Sequence, residues 1–199
     1  MPLGLQSSNK KRELEIRNTR EAMEDLQKEE QVVLVDEQCN ELGLMPKLEA
    51  HEKGILHKAI SIIIFNSKGE MLVTQRAFTK YHWAGIWSNT CCSHPREGES
   101  FYDAAHRRLH EELGFETSLT EAFHFIYKAT DEATGLIEHE YDTVYTGNFN
   151  DAFQFNKEEI NDVRWMKVED LLADIEANAA QYSFWFKIIL KEMQQRGML

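Results

Sequence analysis

A thiol and an imidazole lie two residues apart near the middle of the chain, in the segment NTCCSHP at 89–95. In an extended backbone successive side chains alternate between faces, so Cys92 and His94 lie on one face while Cys91 and Ser93 lie on the other. A thiol and an imidazole on one cavity wall can carry proton transfer or metal binding. Taken alone, the pair is equally compatible with a buried cysteine beside a core histidine.

Two carboxylates occur at the same spacing in the segment EHE at 138–140. On a strand, Glu138 and Glu140 project to one side and His139 to the other. Two like charges that converge in this way are costly unless they share a cation or a proton. A strand that faces solvent is the alternative interpretation of this segment.

Two further histidines, His51 and His57, lie six residues apart in EAHEKGILH, which we predict to be a loop. Taken alone, either residue is also compatible with a surface position. With the two preceding segments they give three imidazoles and two carboxylates, a donor set that suits a divalent metal such as Zn, Mn or Fe. The predicted metal ligands are His51, His57, His94, Glu138 and Glu140.

A sheet and a helix are predicted to position these side chains. The apolar run at 58–65, the turn NSKGE and the segment at 71–76 predict a β-hairpin whose first strand is buried on both faces. The segment at 100–113 has a capping-box-like start and ends before Gly114, and it predicts a helix of about four turns. Gly43 is predicted to lie in a turn. Further strands are predicted at 31–37, 122–129, 138–149 and 162–168, and two helices end the chain, the last with an apolar face formed by Tyr182, Trp185, Phe186, Ile189, Leu190 and Met193. This order predicts a mixed α/β fold of the α+β class.

Length and charge limit the classes of protein. A chain of 199 residues with 42% hydrophobic content predicts one domain at 31–199, preceded by a charged helical extension at 1–30. The net charge of −12 disfavours binding to nucleic acid or to an anionic membrane. No apolar run approaches the roughly 20 residues that span a bilayer, and the first residues lack the apolar stretch of a secretory signal. Three cysteines, two of them adjacent, indicate reduced thiols. We expect a cytoplasmic protein that is a monomer or a weak homodimer.

The stretch at 93–115 resembles the Nudix box, a signature of glycine, glutamate and arginine residues at fixed spacing. Ser93 stands where the box has its first glycine, and Arg108 stands where it has its first metal-binding glutamate. Because the box glutamates hold magnesium for diphosphate cleavage in Nudix hydrolases, an arginine there disfavours hydrolysis and would instead attract a diphosphate. Glu112, one helical turn along, would reach a magnesium bound to that diphosphate. The matching positions are Glu99, Arg107, Glu111, Glu112 and Gly114.

The degenerate box, NTCCSHP and the downstream EHE together resemble the type I isopentenyl diphosphate isomerases. The resemblance runs from about residue 31 to about residue 193. It implies a Nudix fold, a mixed β-sheet sandwiched between helices, and the interconversion of isopentenyl and dimethylallyl diphosphate in isoprenoid biosynthesis through a tertiary carbocation. It also implies one divalent transition metal (Mn, Zn or Fe) at the His/Glu site and Mg²⁺ bound with the substrate diphosphate. Further matches are EKGILHKA, QRAFTK, YKA at 127–129 and WFKII at 185–189.

The same resemblance implies a role for individual residues. Cys92 and Glu140 would be the catalytic groups on opposite faces of the substrate, and which of them donates the proton is left open. Tyr127 would bind Glu140, and Trp185 would face the carbocation, although core packing is an alternative role for Trp185. Phe184 departs from the family, which often has proline there. The implied diphosphate ligands are Lys47, Arg76, Lys80, Ser93 and Arg108, with magnesium on Glu112; solvated surface is the alternative for the lysines and arginines.

Two other functions are compatible with parts of this pattern. One is a Nudix pyrophosphohydrolase that acts on a nucleoside diphosphate derivative, a reaction that needs neither Cys92 nor the EHE pair. The other is a noncatalytic metal-binding or partner-binding protein, in which the Cys and His residues form a structural zinc site.

Overall fold

The computed structural model describes residues 30–80 and 82–199, so nearly all of the predicted extension at 1–30 lies outside the described residues. The strands are β1 (Gln31–Val35), β2 (Glu41–Pro46), β3 (His57–Phe65), β4 (Glu70–Arg76), β5 (Trp87–Ser88), β6 (Cys91–Ser93), β7 (Leu119–Thr130), β8 (Ile137–Asn148) and β9 (Ile160–Lys167). The helices are α1 (Lys47–Lys53), α2 (Phe101–Leu113), α3 (Val168–Ala177) and α4 (Phe184–Gln195), with a short 3₁₀ turn at Ala179–Gln181.

Strand β3 is the centre of the sheet. It pairs with β1, β4 and β6 in antiparallel fashion and with β8 in parallel. Every residue of β3 except Phe65 is buried, as its uninterrupted apolar run predicts. The predicted hairpin of β3 and β4 is therefore confirmed. Strand β3 also pairs with β6 and β8, the strands that bear the chemical groups.

The sheet lies between two layers of helix. Ile60, Ile62 and Ile64 on one face of β3 pack with Ala104 and Leu109 of α2 in one hydrophobic cluster. Ile63, on the opposite face, belongs to a second cluster that contains the apolar stripe of α4. This arrangement confirms the predicted α+β fold with a mixed sheet between helices. Among the described helices, none is long and apolar enough to cross a membrane. The buried members of the stripe are Trp185, Phe186, Ile189, Leu190 and Met193. Tyr182, predicted to belong to the same face, is buried but lies before the helix, which is capped by Ser183.

The predicted signals at the ends of helix α2 are confirmed. Ser100 caps its start, because its hydroxyl accepts a hydrogen bond from the backbone N–H of Asp103 at 3.0 Å. Gly114 ends the helix with φ +69°, and its N–H donates to the carbonyl oxygen of His110. The helix carries Arg108 and Glu112, so its two ends fix where those side chains stand.

The segment at 41–53 differs from the sequence prediction. Gly43 lies within β2 and not in a turn, and the chain reverses earlier, where Asp36 accepts hydrogen bonds from Gln38 and Asn40. The predicted loop around the two histidines is also wrong: His51 lies on α1 and His57 is the first residue of β3. A helix of seven residues is too short to produce a recognisable apolar period.

Replacing Gly114 with alanine should destabilise the fold more than the same change at Gly98. Both glycines have positive φ, near +70°, which costs an alanine about 1–2 kcal/mol. A Cβ at Gly114 would also lie 2.5 Å from the backbone oxygen of Gln154, whereas the space at Gly98 is open. Urea denaturation should show a loss of unfolding free energy of about 3 kcal/mol for Gly114→Ala and about 1 kcal/mol for Gly98→Ala. Equal losses would contradict the proposed clash.

Candidate active site and metal centre

Strand pairing brings the separated chemical segments together. In the parallel pair of β3 and β8, His57 is opposite Glu140, and in the antiparallel pair of β7 and β8, Tyr127 is opposite Glu140 as well. Strand β6 runs beside β3 with Cys92 opposite Ser61. The three segments thus meet over one end of the sheet, although they are distant along the chain.

Four buried residues form a potential metal centre at this point. One imidazole nitrogen from each of His51, His57 and His94, with a carboxylate oxygen of Glu140, all lie within 4.8 Å of one another. His94 Nε2 is 2.9 Å from Glu140 Oε1, and His57 Nε2 is 3.7 Å from the same oxygen. Glu138 joins through an overlapping group with His51 and His82, and His51 Nε2 is 3.2 Å from Glu138 Oε2.

The orientation of His57 suits a metal ligand. Its Nδ1 is 2.8 Å from the carbonyl oxygen of Ile55, which can only accept, so Nδ1 carries a proton and Nε2 of the neutral ring presents a lone pair to the centre. Both His57 Nε2 and Glu138 Oε2 are buried without a hydrogen-bond partner. Orphaned acceptors that converge in a buried site are the arrangement that a divalent cation satisfies, and the donor set therefore fits such an ion.

The two carboxylates are ionised in spite of their burial. Desolvation raises the pKa of Glu140, but the neighbouring imidazole of His57 and the hydrogen bond from Tyr127 outweigh it and hold the pKa at about 2. Burial and the charge of Glu140 raise the pKa of Glu138, and the neighbouring imidazole of His51 and the hydrogen bond from His82 bring it down to about 2. Burial lowers the pKa of His57, yet the nearby Glu140 carboxylate raises it overall, so a proton on that ring competes with a metal ion.

Cys92 lies in the same cavity with its proton in place. Its thiol donates to Asn89 Oδ1 at 3.0 Å, and its sulfur accepts from the indole N–H of Trp185 at 3.1 Å. Burial, and next to it the charge of Asp142, raise the pKa of Cys92 to about 12. At neutral pH this group is therefore a thiol and not a thiolate. Its neighbour Cys91 belongs to the other hydrophobic cluster, as the predicted alternation requires.

Aromatic rings surround the thiol and the carboxylate. The hydroxyl of Tyr127 donates to Glu140 Oε2 at 2.7 Å. Trp185 is 4% exposed and makes a T-shaped contact with Trp83, with ring centroids 5.8 Å apart. Phe184 stacks on Tyr127 from outside the cavity lining. Tyr127 and Trp185 are therefore the aromatic walls of the cavity, while Ser88 and Asn89 place polar groups next to the thiol.

Basic side chains also line the cavity, and each is held by a protein group. Lys47 Nζ is 2.9 Å from Glu30 Oε2, and Lys80 is paired with Glu159. Arg108 Nη2 is 2.6 Å from Glu112 Oε1 and 3.4 Å from Glu159 Oε1. These ion pairs keep the cationic groups beside one another in a protein of net charge −12.

Arg76 is oriented differently from these cations, by backbone carbonyls. Its Nε donates to the oxygen of Trp83 at 3.1 Å and its Nη2 to the oxygen of His82 at 3.3 Å. Its guanidinium also lies 5.8 Å from the ring of Trp185. The loop that contains His82 and Trp83 therefore fixes where this charge stands.

One open cavity, with about 770 Å³ of empty space that includes its solvent-facing mouth, joins these groups. The predicted residues that line it are Lys47, Arg76, Lys80, Cys92, Ser93, His94, Arg108, Glu112, Tyr127, Glu138, Glu140 and Trp185. His51 and His57 lie beside it within the metal centre. Every residue that was predicted to form the site is thus at this cavity, while Glu112 is separate from the His/Glu group and paired with Arg108.

Several cavity residues were not predicted from the sequence. Asn89 accepts a hydrogen bond from the thiol of Cys92, and His82 contacts Glu138. Glu159 is paired with Lys80 and with Arg108. His82 lies in the irregular segment between β4 and β5, where no periodicity exists to assign a direction to a side chain. Asn89 belongs to the NTCCSHP segment, and its position three residues before Cys92 was the available signal that it could contact the thiol.

Comparison with known proteins defines the class. The NUDIX domain model matches residues 55–186. A structure of DR0079 from Deinococcus radiodurans superimposes with a TM-score of 0.63 at 22% identity, covering 75% of this chain and 90% of that one. A MutT protein from Methanosarcina mazei Go1 gives 0.60 at 18% identity, covering 71% and 95%. The fold is a Nudix fold, as predicted.

Sequence relatives identify the family within that class. The isopentenyl-diphosphate Delta-isomerase 2 of Aromatoleum aromaticum is 46% identical, over 81% of this chain and 85% of the relative. The isopentenyl-diphosphate Delta-isomerase 2 of Photorhabdus laumondii is 45% identical, over 85% and 96%. The isopentenyl-diphosphate Delta-isomerase of Serratia proteamaculans is 42% identical, over 85% and 94%. The chain belongs to the isopentenyl-diphosphate Delta-isomerase family, which confirms the predicted resemblance.

Metal binding should raise the thermal stability of the protein. An ion that binds only the folded state at 100 times its Kd contributes about 2.7 kcal/mol, which corresponds to roughly 5–10 °C in a chain of this size. Metal-stripped protein titrated with Mn²⁺ or Zn²⁺ in differential scanning fluorimetry should show this shift. Glu140→Gln should lose most of it, whereas Glu121→Gln, the same change at an exposed position on β7, should keep it. An unchanged midpoint for the wild type would exclude this metal centre.

Proposed function

We propose that this protein catalyses the interconversion of isopentenyl and dimethylallyl diphosphate. One observation carries the proposal: a single cavity holds the protonated thiol of Cys92 and the ionised carboxylate of Glu140 beside a cluster of basic side chains. Moving a double bond by one position requires a proton donor and a proton acceptor at adjacent carbons, and the basic cluster suits the diphosphate. Membership of the isopentenyl-diphosphate Delta-isomerase family supports the same reaction.

Cys92 and Glu140 carry out the two proton transfers. One protonates the alkene to give a tertiary carbocation, and the other removes a proton from the carbon nearer the diphosphate; the roles exchange in the reverse direction. An alkene is a very weak base, so the donor must be held close to it in a water-poor pocket. Tyr127 orients Glu140 through its hydrogen bond to Oε2 at 2.7 Å. A divalent transition metal bound by the His/Glu group would fix one carboxylate oxygen and polarise the group.

Trp185 stabilises the cationic intermediate. Its ring lies beside Cys92, is 4% exposed and packs against Trp83, so it presents a buried aromatic surface next to the thiol. An aromatic face stabilises a desolvated cation by about 2 kcal/mol or more. Exclusion of water prevents capture of the carbocation as an alcohol.

The diphosphate binds at the basic end of the cavity. Lys47, Arg76, Lys80 and Arg108 supply charge, and Ser93 supplies a polar contact. Glu112, paired with Arg108 at 2.6 Å, would be a protein ligand for the Mg²⁺ bound with the diphosphate, and that ion would offset part of the substrate's charge. The basic groups offset the net negative charge of the chain where the anionic substrate binds.

Incubation with labelled isopentenyl diphosphate tests this function directly. We expect the isomer to appear, and we expect Cys92→Ala and Glu140→Gln each to lower kcat by about 10²–10⁴-fold, the usual contribution of an acid–base group. Cys39→Ala, in the turn between β1 and β2, and Glu121→Gln should retain wild-type rates. Release of phosphate would instead indicate a hydrolase, and full activity of Cys92→Ala would contradict its role.

Arg108→Ala should weaken substrate binding. A charge-assisted hydrogen bond to an anion contributes about 1.5–3 kcal/mol, so KM should rise roughly 10–100-fold. Arg96→Ala is the matched control, because Arg96 also contacts Glu111 but its side chain is 67% exposed and lies outside the cavity. Steady-state kinetics with both variants provides the measurement. An unchanged KM for Arg108→Ala would remove this residue from the diphosphate site.

A further inference from the structure

His82 makes a buried contact with the metal centre that the proposed function does not use. Its Nε2 lies 2.7 Å from Glu138 Oε1, and the residue is 7% exposed. The two residues are 56 positions apart, and His82 reaches Glu138 from the irregular segment between β4 and β5. A buried contact of this length between an imidazole and a carboxylate restrains the rotation of the carboxylate.

The chemistry of this contact assigns the proton. An ionised carboxylate oxygen only accepts, so His82 Nε2 must be the donor, and that nitrogen has no lone pair left for a metal ion. Oε1 of Glu138 is thereby occupied, and Oε2 is the oxygen turned toward His51, at 3.2 Å. A hydrogen-bonded partner that selects which carboxylate oxygen faces the metal is a recurrent device for tuning metal affinity.

We propose that His82 is a positioning residue that orients Glu138 for metal binding. The inference rests on the proposed metal centre and extends it beyond the five predicted ligands. The backbone around His82 is itself restrained, because its carbonyl oxygen and that of Trp83 accept from Arg76. Trp83 has a φ of +51°, which is unusual for a residue with a side chain, and its N–H donates to Asp131. One short loop therefore contacts the metal centre, the aromatic wall and a basic side chain of the cavity.

Metal affinity without substrate is the test. Metal-stripped full-length protein would be titrated with Zn²⁺ against a chromophoric chelator. We expect His82→Ala to weaken binding roughly 10–100-fold, and His82→Gln, whose amide can still donate to Glu138, to recover part of that loss. His110→Ala and His110→Gln are the matched controls, because that ring is 62% exposed on α2, and both should bind as the wild type does. Wild-type affinity in His82→Ala would overturn the proposal.

The absorption spectrum of the Co²⁺-substituted protein separates positioning from direct ligation. A positioning residue leaves the coordination number unchanged, so His82→Gln should keep the wild-type band positions and intensity at saturating Co²⁺. A change to a different coordination geometry in that variant would mean that His82 is itself a ligand, and would also overturn the proposal. If His82→Ala fails to fold, His82→Gln still gives both readings. Neither measurement involves isomerisation, so a failure of the proposed reaction would not be mistaken for a failure of this inference.

Discussion

The burial of two negative charges on one strand governs the arrangement of this site. Glu138 and Glu140 project from the same side of β8 and are 4% and 8% exposed. Burying each ion costs roughly several kcal/mol of folding free energy unless opposite charges and hydrogen bonds compensate it. Their repulsion adds to the cost. Imidazoles and a phenol on neighbouring elements supply this compensation. The side chains around the two carboxylates therefore keep them ionised, and they also belong to the candidate metal centre.

Strand register converts this requirement into geometry. Parallel pairing of β8 with β3 sets His57 opposite Glu140, and antiparallel pairing with β7 sets Tyr127 opposite the same residue. Side chains alternate along a strand, so a slip of one residue would turn Glu140 out of the cavity and bring His139 in. His139 instead bonds the carbonyl oxygen of Gly54, which anchors the outer side of β8 next to α1. The hydrophobic face of the sheet and the proposed catalytic groups are therefore positioned by the same pairing.

Local sequence patterns predicted the fold well. The features that were not predicted depend on tertiary contacts. The apolar run of β3, the cap at Ser100 and the glycine at the end of α2 are local signals, and each predicted element is present. The alternation of Glu138 and Glu140 was predictable for the same reason. His82 and Glu159 carry no such signal, because their directions are set by loop packing and by ion pairs across the cavity. The short helix α1 was missed because seven residues give no period, although its histidine was recognised by type.

The charge on helix α2 explains how a Nudix fold can serve a reaction other than hydrolysis. Glutamates at this helix would gather cations beside a diphosphate and promote its cleavage. Arg108 places a fixed cation among them, where Glu112 and Glu159 hold its guanidinium and, against the effect of burial, raise its pKa further. A phosphate oxygen that binds Arg108 would be held by a fixed cation at the helix position where a hydrolase has a metal-binding glutamate, which leaves one metal ligand fewer to promote cleavage. The proposed proton transfers then fall to the thiol of Cys92 and the carboxylate of Glu140, which line the same cavity beside the aromatic rings of Tyr127 and Trp185.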